Sequence, residues 1–389
     1  MKKINYLLPA VFICFITAVF CCNLGNIKTS AAAQLNKIRS GQLAEATMGF
    51  ETSLNDSFDH KLSYVYVNSC FKNAMGQKLI NNTVKDSAGN VYDIEVTEEV
   101  FDCETEKRNL AITEKILDTA ASQGAYTLYV QHPDKFGVSD GTLPYGLECI
   151  RNERDDYYVA ALTADGYNVL DLREDEFSDT HAFFDTDHHW TIESAFNANA
   201  HILNKISRES GLISNKEEFE ALYSVENYNT EIYEDSFLGS NGIRMIPWSG
   251  KEDFTEFFPA NDTSFTYCRY SAGDVLSDER TGDFEQAYVR KDLLEATSYL
   301  NKYDTYLNEG TYENISVNHN APNDLKVLLI SDSFSRPLHA FMSNNFCELR
   351  SLDPQNGRYN ESFVDYISEY DPDIVIIMYD YGYFGNSVE

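Results

Sequence analysis

The chain has 389 residues, of which 43% are hydrophobic, and its 62 acidic against 30 basic residues give a formal net charge of −32. Such a composition is typical of a globular protein and argues against widespread disorder. A surface this acidic repels phosphate backbones and anionic lipid, so we expect no nucleic-acid partner. A neutral sugar polymer or a small uncharged group is easier to reconcile with the charge.

The first residues of the chain predict export. Lys2 and Lys3 precede an apolar run over residues 6–24, which is the order found in a bacterial export signal. The run is long enough to span a bilayer. We therefore expect residues 1–24 to form a signal peptide or a membrane anchor, with the uncleaved anchor favoured, and residues 25–44 to form a stalk. The predicted location is extracytoplasmic, either membrane-anchored or secreted.

Past the stalk, helical and strand patterns alternate along the chain. Apolar residues at helical spacing predict a helix over 107–122, and aromatic and β-branched residues predict a strand at 126–131. The remaining predicted elements are a helix at about 146–164, a strand at 167–172, a helix from Thr191 to Gly211, strands at 326–331 and 347–352, a helix at 360–370 and a strand at 373–379. Strands separated by helices of this length predict an α/β fold with a mostly parallel sheet and helices on both faces.

Residues 212–322 differ from the rest of the chain. They are rich in Tyr, Phe, Asn and Gly, contain turn signals such as GSNG (239–242), and lack long apolar runs. We interpret them as a lid-like or β-rich insertion in a domain that spans 45–389. A set of long surface loops fits the pattern equally well.

The stretch KVLLISDSFSRPL, residues 326–338, carries a candidate nucleophile. A buried strand ends at Ser331 and a helix begins within a few residues, so Ser333 lies on the turn between them. Such a turn places the hydroxyl above the carboxyl edge of the sheet, close to the unpaired N–H groups of the new helix. Asp-Ser after a strand is also an ordinary helix cap, so this motif alone leaves both interpretations open.

The stretch HAFFDTDHHWTIESAF, residues 181–196, offers a base for that serine. Histidine, with an unperturbed pKa of about 6.5, is the side chain best suited to accept a proton at neutral pH. Asp187 is too close in sequence to pair well with His188, whereas the spacing to His189 lets it reach one ring nitrogen and leaves the other for Ser333. We therefore predict His189 as the base, Asp187 as its orienting acid, and His188 as a packed or substrate-facing residue.

The two motifs together resemble the DHHW family and, more widely, the alginate O-acetyltransferase-type proteins (AlgJ and AlgX), which are SGNH-hydrolase-like. Ordinary SGNH enzymes place the serine block first, whereas this group, like this chain, places Asp187 and His189 before Ser333. Further similar segments bring the resemblance to about 45–210 and 323–384; they are FETSLNDSFDHKLSYVYVNSCFKNAMGQKLINN (50–82), LYVQHPDKF (128–136) and YDPDIVIIMYDYGYF (370–384). The chain departs from the family where Ser331 replaces the usual glycine, and it shows no recognisable SGNH oxyanion-hole residue.

The resemblance implies a flavodoxin-like three-layer fold and a Ser-His-Asp site that moves an acetyl group onto or off hydroxyls of a cell-envelope polysaccharide or exopolysaccharide. It implies no cofactor and no metal, and it suggests a membrane-bound O-acyltransferase as the partner that supplies acetyl. Lys135 follows the strand at 126–131 on the same carboxyl edge, where ligands bind in open sheets. We expect Lys135, His188 and Trp190 to contact substrate, although a surface lysine at 135 fits equally well.

Three alternative functions stay open. A carbohydrate acetyl esterase would use the same triad, because only the exclusion of water distinguishes transfer from hydrolysis. A non-catalytic surface protein could bind glycan through the Tyr-rich insertion. A metal-dependent phosphoesterase would use Asp185, Asp187, His188 and His189 as ligands, but the other histidines form no recognisable set, and the eight cysteines show no C-x-x-C spacing.

Overall fold

The computed structural model describes residues 7–39, 41, 43–94, 102–139, 151–174, 177–271, 275–295, 301–307, 313–354 and 363–379. The chain divides into two compact units, Met1–Gly76 and Gln77–Glu389. The predicted boundaries of the anchor, the stalk and the insertion remain predictions.

The first unit is helical. Its helices are α1 (Leu7–Cys22), α2 (Leu24–Ala33), α3 (Leu35–Arg39), α4 (Leu43–Asp56) and α5 (Lys61–Ala74). No single helix in the described part of the chain is long and apolar enough to cross a membrane, whereas Pro9–Cys22 and Leu24–Ala33, bent by 54°, meet the length and composition together.

The second unit contains both helices and strands. Its helices are α6 (Cys103–Ser122), α7 (Lys135–Val138), α8 (Arg151–Ala164), α9 (Ile192–Glu209), α10 (Lys216–Ala221), α11 (Ser240–Arg244), α12 (Phe284–Tyr288), α13 (Lys291–Glu295), α14 (Ser335–Met342) and α15 (Phe363–Tyr370). Its strands are β1 (Thr83–Lys85), β2 (Val91–Asp93), β3 (Tyr126–Gln131), β4 (Val169–Asp171), β5 (Tyr228–Phe237), β6 (Glu252–Pro259), β7 (Phe265–Ser271), β8 (Val275–Gly282), β9 (Glu313–Asn318), β10 (Lys326–Ser331), β11 (Glu348–Leu352) and β12 (Ile374–Met378). The predicted starts at 146 and 360 of two helices lie outside the described residues.

The main sheet is mostly parallel. Its eight described strands follow the order β4-β3-β12-β10-β11-β9-β7-β8. The pairs from β4 to β11 are parallel, whereas β9, β7 and β8, which come from the predicted insertion, are antiparallel. The strands predicted at 126–131, 167–172, 326–331 and 373–379 are thus parallel neighbours, and the predicted α/β class is confirmed.

Strand β10 shows why the sheet has helices on both faces. Successive side chains of a strand point to opposite faces, so Val327 and Leu329 join one core with α9 and α14, whereas Leu328 and Ile330 join another with α6 and α15. All four side chains are 0% exposed. Burial on both faces explains the unbroken apolar sequence of this strand.

Helix α9 fixes the end of the Asp187–Trp190 loop. Thr191 caps the helix by accepting a hydrogen bond from the backbone N–H of Ser194 at 3.1 Å, and Glu193 lies in the first turn. One face of α9 is buried in the core that also contains α14. The two helices that follow the candidate motifs therefore pack against each other.

The connections of the sheet leave a crevice at its carboxyl edge. Strand β3 leads on to β4 on one side, whereas β10 leads through α14 to β11 on the other, and β12 lies between β3 and β10. In open α/β sheets, ligands bind where consecutive connections diverge in this way. The loops that follow β3 and β10 lie where the connections diverge, so they are the expected place for a ligand.

Candidate active site

The turn that carries Ser333 is tightly hydrogen-bonded. The carboxylate of Asp332 accepts the N–H of Phe334 at 2.9 Å, and the Asp332 carbonyl accepts the N–H of Ser335 at 3.2 Å. Ser331 ends β10 and Ser335 opens α14. Ser333 itself is half-buried between them, so its hydroxyl lies at the carboxyl edge of the sheet.

The structure brings Ser333, His189 and Asp187 into one line of hydrogen bonds. The Oγ of Ser333 lies 2.7 Å from Nε2 of His189, although 144 residues separate the two. Nδ1 of the same ring lies 2.6 Å from Oδ1 of Asp187. The spacing is that of a nucleophile, a base and an orienting acid.

The carboxylate of Asp187 is buried but well supplied with donors. Its Oδ1 also accepts the backbone N–H of His189 at 3.1 Å, and its Oδ2 accepts the N–H of Ser240 at 2.7 Å. Burial alone would raise the pKa of Asp187, but the adjacent His189 and His188 and these hydrogen bonds hold it well below its usual range. Because Asp187 is ionised, Nδ1 of His189 carries the proton and Nε2 can accept one.

Burial also tunes the base. The His189 side chain is 6% exposed, and burial, followed by the nearby His188, lowers the pKa of His189 to about 4, against the opposing effect of Asp187. The imidazole is therefore neutral at neutral pH. A neutral imidazole whose Nε2 faces a hydroxyl can take up its proton.

Of the residues predicted to contact substrate, His188 is exposed. Its side chain is 48% exposed. Its Nδ1 lies 3.4 Å from Oδ1 of Asp187, whereas Nδ1 of His189 lies 2.6 Å from the same oxygen. The rings of His188 and His189 lie 3.9 Å apart. His188 therefore covers one side of the base and presents an open edge to solvent.

Trp190 and Lys135, which were also predicted to contact substrate, are buried. Trp190 is 0% exposed and donates its Nε1–H to the carbonyl of Phe334 at 3.0 Å. Lys135 is 1% exposed, and its ammonium donates to the carbonyls of Phe184 and Asp185 at 2.7 Å each and of Asp187 at 3.0 Å. Trp190 thus contacts the loop that carries Ser333, and Lys135 contacts the loop that carries Asp187; a role of either in substrate binding stays a prediction.

The predicted insertion contributes residues that the motif analysis did not find. Besides Ser240, Glu252 accepts hydrogen bonds from the backbone N–H groups of Asp185 and Thr186 and from the Thr186 hydroxyl. Gly239 has an ordinary φ of −73°, but a Cβ there would lie 2.4 Å from Cβ of Asp187. The GSNG stretch is therefore explained by close approach to Asp187, and not only by turn formation.

Tyr303 is a further residue that the sequence analysis missed. Its ring stacks on the ring of His189, with centroids 3.8 Å apart and planes at 10°. Its hydroxyl donates to the carbonyl of Phe334 at 3.3 Å. Nothing in the surrounding sequence marks this tyrosine among the 26 in the chain.

The same loop has the spacing of a possible metal site. Ligand atoms of Asp187, His188 and His189 lie within 4.8 Å of one another, and no other His, Cys, Asp or Glu side chains in the described ranges form such a group. Both ring nitrogens of His189, however, lie at hydrogen-bond distance from Asp187 and Ser333. An ion bound through His189 would have to break one of these hydrogen bonds.

Comparison with known proteins gives similarity in structure alone. No family profile and no curated protein matches the chain. Bacillus cereus PatB1 with a sulfonyl adduct matches with a TM-score of 0.62 at 18% identity, covering 78% of this chain and 95% of that one. A DHHW family protein from Eubacterium siraeum matches with a TM-score of 0.53 at 14% identity, covering 78% and 92%. The O-acetyltransferase domain of Pseudomonas putida AlgJ matches with a TM-score of 0.46 at 13% identity, covering 78% and 92%.

A DHHW family protein is thus among the structural neighbours, as the sequence motifs predicted. At these identities the likeness establishes the fold. The roles of individual residues are argued from the geometry of the site and can be tested by measuring the activity of variants.

The lowered pKa of His189 predicts the pH dependence of acyl turnover. Only the neutral imidazole acts as a base, so kcat/KM should rise with pH along an acid limb that lies below the ordinary histidine value of 6.5. His188→Gln removes a neighbouring imidazole whose electrostatic effect lowers the pKa of His189, so the limb should move to higher pH. The measurement is the pH–rate profile of both proteins, with the exposed His319→Gln as the control. An unshifted limb in His188→Gln would contradict the assignment.

Gly239→Ala should disable the site through Asp187. The added Cβ would lie 2.4 Å from Cβ of Asp187 and 2.6 Å from its Oδ2, and a displacement on the order of 1 Å in such a site can cost about 10²-fold in rate. Gly250→Ala is the matched control, because a Cβ there meets nothing within 4 Å. Turnover and thermal melting should be measured for both; equal behaviour of the two variants would show that Asp187 tolerates the displacement.

Proposed function

We propose that this chain is an extracytoplasmic Ser-His-Asp acyltransferase that moves an acetyl group to hydroxyls of a cell-envelope polysaccharide or exopolysaccharide. The observation that carries the proposal is the continuous line of hydrogen bonds from Asp187 through His189 to Ser333. The motif resemblance to the DHHW family supports the acetyl group and the sugar acceptor. The sulfonyl adduct of PatB1 gives further support, because sulfonylating reagents react with nucleophilic side chains.

In the first half of the proposed reaction, Ser333 takes the acetyl group. Its Oγ attacks the carbonyl carbon of the donor while its proton passes to Nε2 of His189, and the carbonyl electron pair moves onto oxygen. The tetrahedral intermediate then expels the donor's leaving group, which takes the proton from His189. Asp187 accepts the Nδ1–H of the ring throughout and stabilises the imidazolium that forms.

In the second half, a sugar hydroxyl replaces the donor. It gives its proton to Nε2 of His189 and attacks the acetyl-serine, and the new tetrahedral intermediate expels Oγ of Ser333, which recovers the proton. Water in place of the sugar would give hydrolysis by the same steps. The acidic chain, with a formal charge of −32, suits an uncharged acceptor better than an anionic one.

The proposed setting is the outer side of the cytoplasmic membrane. The side chains of Leu7, Val11, Phe12, Ile13 and Phe15 on α1 are more than half exposed, a surface that is more stable in lipid than in water. Anchored there, the chain would receive acetyl from a membrane-bound O-acyltransferase, which we propose as its partner.

The proposed roles predict non-additive losses. Ser333→Ala and His189→Ala should each lower turnover of a chromogenic acetyl ester by about 10³-fold or more, and the double variant should lose no more than either alone. His188→Ala should lose far less, and a chelator should leave the rate unchanged. If His188→Ala is inactive while His189→Ala turns over, the histidines are wrongly assigned. If chelation abolishes turnover, the site is a metal site.

The acceptor decides between transfer and hydrolysis. We expect purified protein given the acetyl ester and a neutral oligosaccharide to produce O-acetylated sugar, detected by mass spectrometry, in a Ser333-dependent reaction. Ser333-dependent release of free acetate with no sugar product would instead establish an esterase.

Export is tested by fusing a reporter to the C-terminal end of the chain. A reporter that is active only outside the cytoplasm should be active in the fusion, and one that is active only inside should be silent. The control is a fusion that lacks residues 1–33, in which the pattern should reverse. Activity of the cytoplasmic reporter in the full-length fusion would contradict export.

A further inference from the structure

A small pocket opens beside Ser333. Its lining includes Ser333, Arg336, Asn314 and the carboxylate residues Asp332 and Asp353, whereas His189 is not among the described residues that line it. A hydroxyl that attacks or leaves the acyl group must lie at Nε2 of His189 to exchange its proton. Because Ser333 itself lines the pocket, the pocket offers space beside Ser333 for the carbonyl oxygen of a group bound to it.

Arg336 is the cation of this pocket. It lies in the first turn of α14, and its backbone N–H donates to the carbonyl of Ser333 at 3.3 Å. Nη1 of the guanidinium pairs with Oδ1 of Asp304, whose side chain is 3% exposed. Within the part of the chain that the structure describes, the other guanidinium N–H groups have no partner.

The pair with Asp304 gives Arg336 a defined orientation. A guanidinium is planar and presents several donors at fixed angles, so one edge can bind Asp304 while another remains available to the pocket. The charge of Arg336 also reaches the base: after burial and His188, it is a further cause of the lowered pKa of His189. Arg336 thus lies near both the nucleophile and the base.

We infer that Arg336, oriented by Asp304, donates hydrogen bonds to the carbonyl oxygen of the transferred acyl group and stabilises the oxyanion that forms there. The inference rests on the proposed function. When Oγ of Ser333 bonds to the carbonyl carbon, the serine proton goes to His189 and the carbonyl electron pair goes to oxygen, which becomes negative. Arg336 binds that charge until the carbonyl re-forms and the leaving group departs with the proton from His189.

A donor of this kind acts mainly in the transition state. Removing one oxyanion donor from a serine enzyme typically costs about 10²–10³ in kcat. Arg336→Gln should therefore lower kcat on the chromogenic acetyl ester by that factor with little change in KM. It should weaken binding of phenylboronic acid, which forms a negatively charged tetrahedral adduct with serine, by a similar factor. Arg290→Gln is the matched control, because Arg290 forms an exposed pair with Asp292, and should behave as wild type.

Two further variants keep the test decisive. Because Arg336→Gln leaves the buried carboxylate of Asp304 unpaired, which can destabilise the fold, the double variant Arg336→Gln/Asp304→Asn should restore the melting temperature but not kcat. Ser333→Ala tests the proposed function separately: wild-type turnover in that variant would refute the acyl-serine mechanism itself. If Ser333→Ala is inactive but either Arg336 variant keeps wild-type kcat or wild-type boronate affinity, the role of Arg336 alone is overturned.

Discussion

The carboxylate of Asp187 is the group on which the geometry of this site depends. It is 1% exposed, and a carboxylate removed from water is costly unless donors replace the lost hydration. Three donors do so: the backbone N–H groups of His189 and Ser240 and the imidazole of His189. Because one of these donors is the imidazole of His189, the interactions that keep Asp187 ionised also orient Nε2 of His189 towards Ser333.

The requirements of that carboxylate explain several features far from it in sequence. The backbone N–H of Ser240 can donate a hydrogen bond to Asp187 only if the backbone at 239–240 passes close to that side chain. Gly239 permits this approach because it lacks a Cβ. The loop that presents the carboxylate turns its own carbonyls inward, and the ammonium of Lys135 satisfies them. Glu252 accepts the N–H groups on the other side of the loop. The predicted insertion, whose composition suggested a lid-like or β-rich region or a set of surface loops, thus contributes Ser240 and Glu252 to the contacts of this loop.

Local patterns predicted the framework, which the structure confirms, and they selected three residues whose catalytic roles stay a prediction. The unbroken apolar run of β10 indicated a central strand, the D-x-H spacing selected His189 over His188, and the strand-to-helix turn selected Ser333. The contacts of Ser240 and Tyr303 could not be predicted in this way. Ser240 uses a backbone N–H, which nearly every residue has, and Tyr303 acts through a stacking partner 114 positions away in the chain, counted from His189 to Tyr303. The sequence does not distinguish a buried lysine from an exposed one. It therefore placed Lys135 at the carboxyl edge of the sheet but could not predict its hydrogen bonds to the carbonyls of the Asp187 loop.

The carbonyl of Phe334 receives hydrogen bonds from both Trp190 and Tyr303. Phe334 is the residue after Ser333, Trp190 is the residue after His189, and Tyr303 lies flat against the ring of His189. Serine and imidazole are thus tied to one shared point on the backbone. A displacement of that carbonyl therefore acts on both loops at once, which couples the position of Oγ of Ser333 to that of Nε2 of His189.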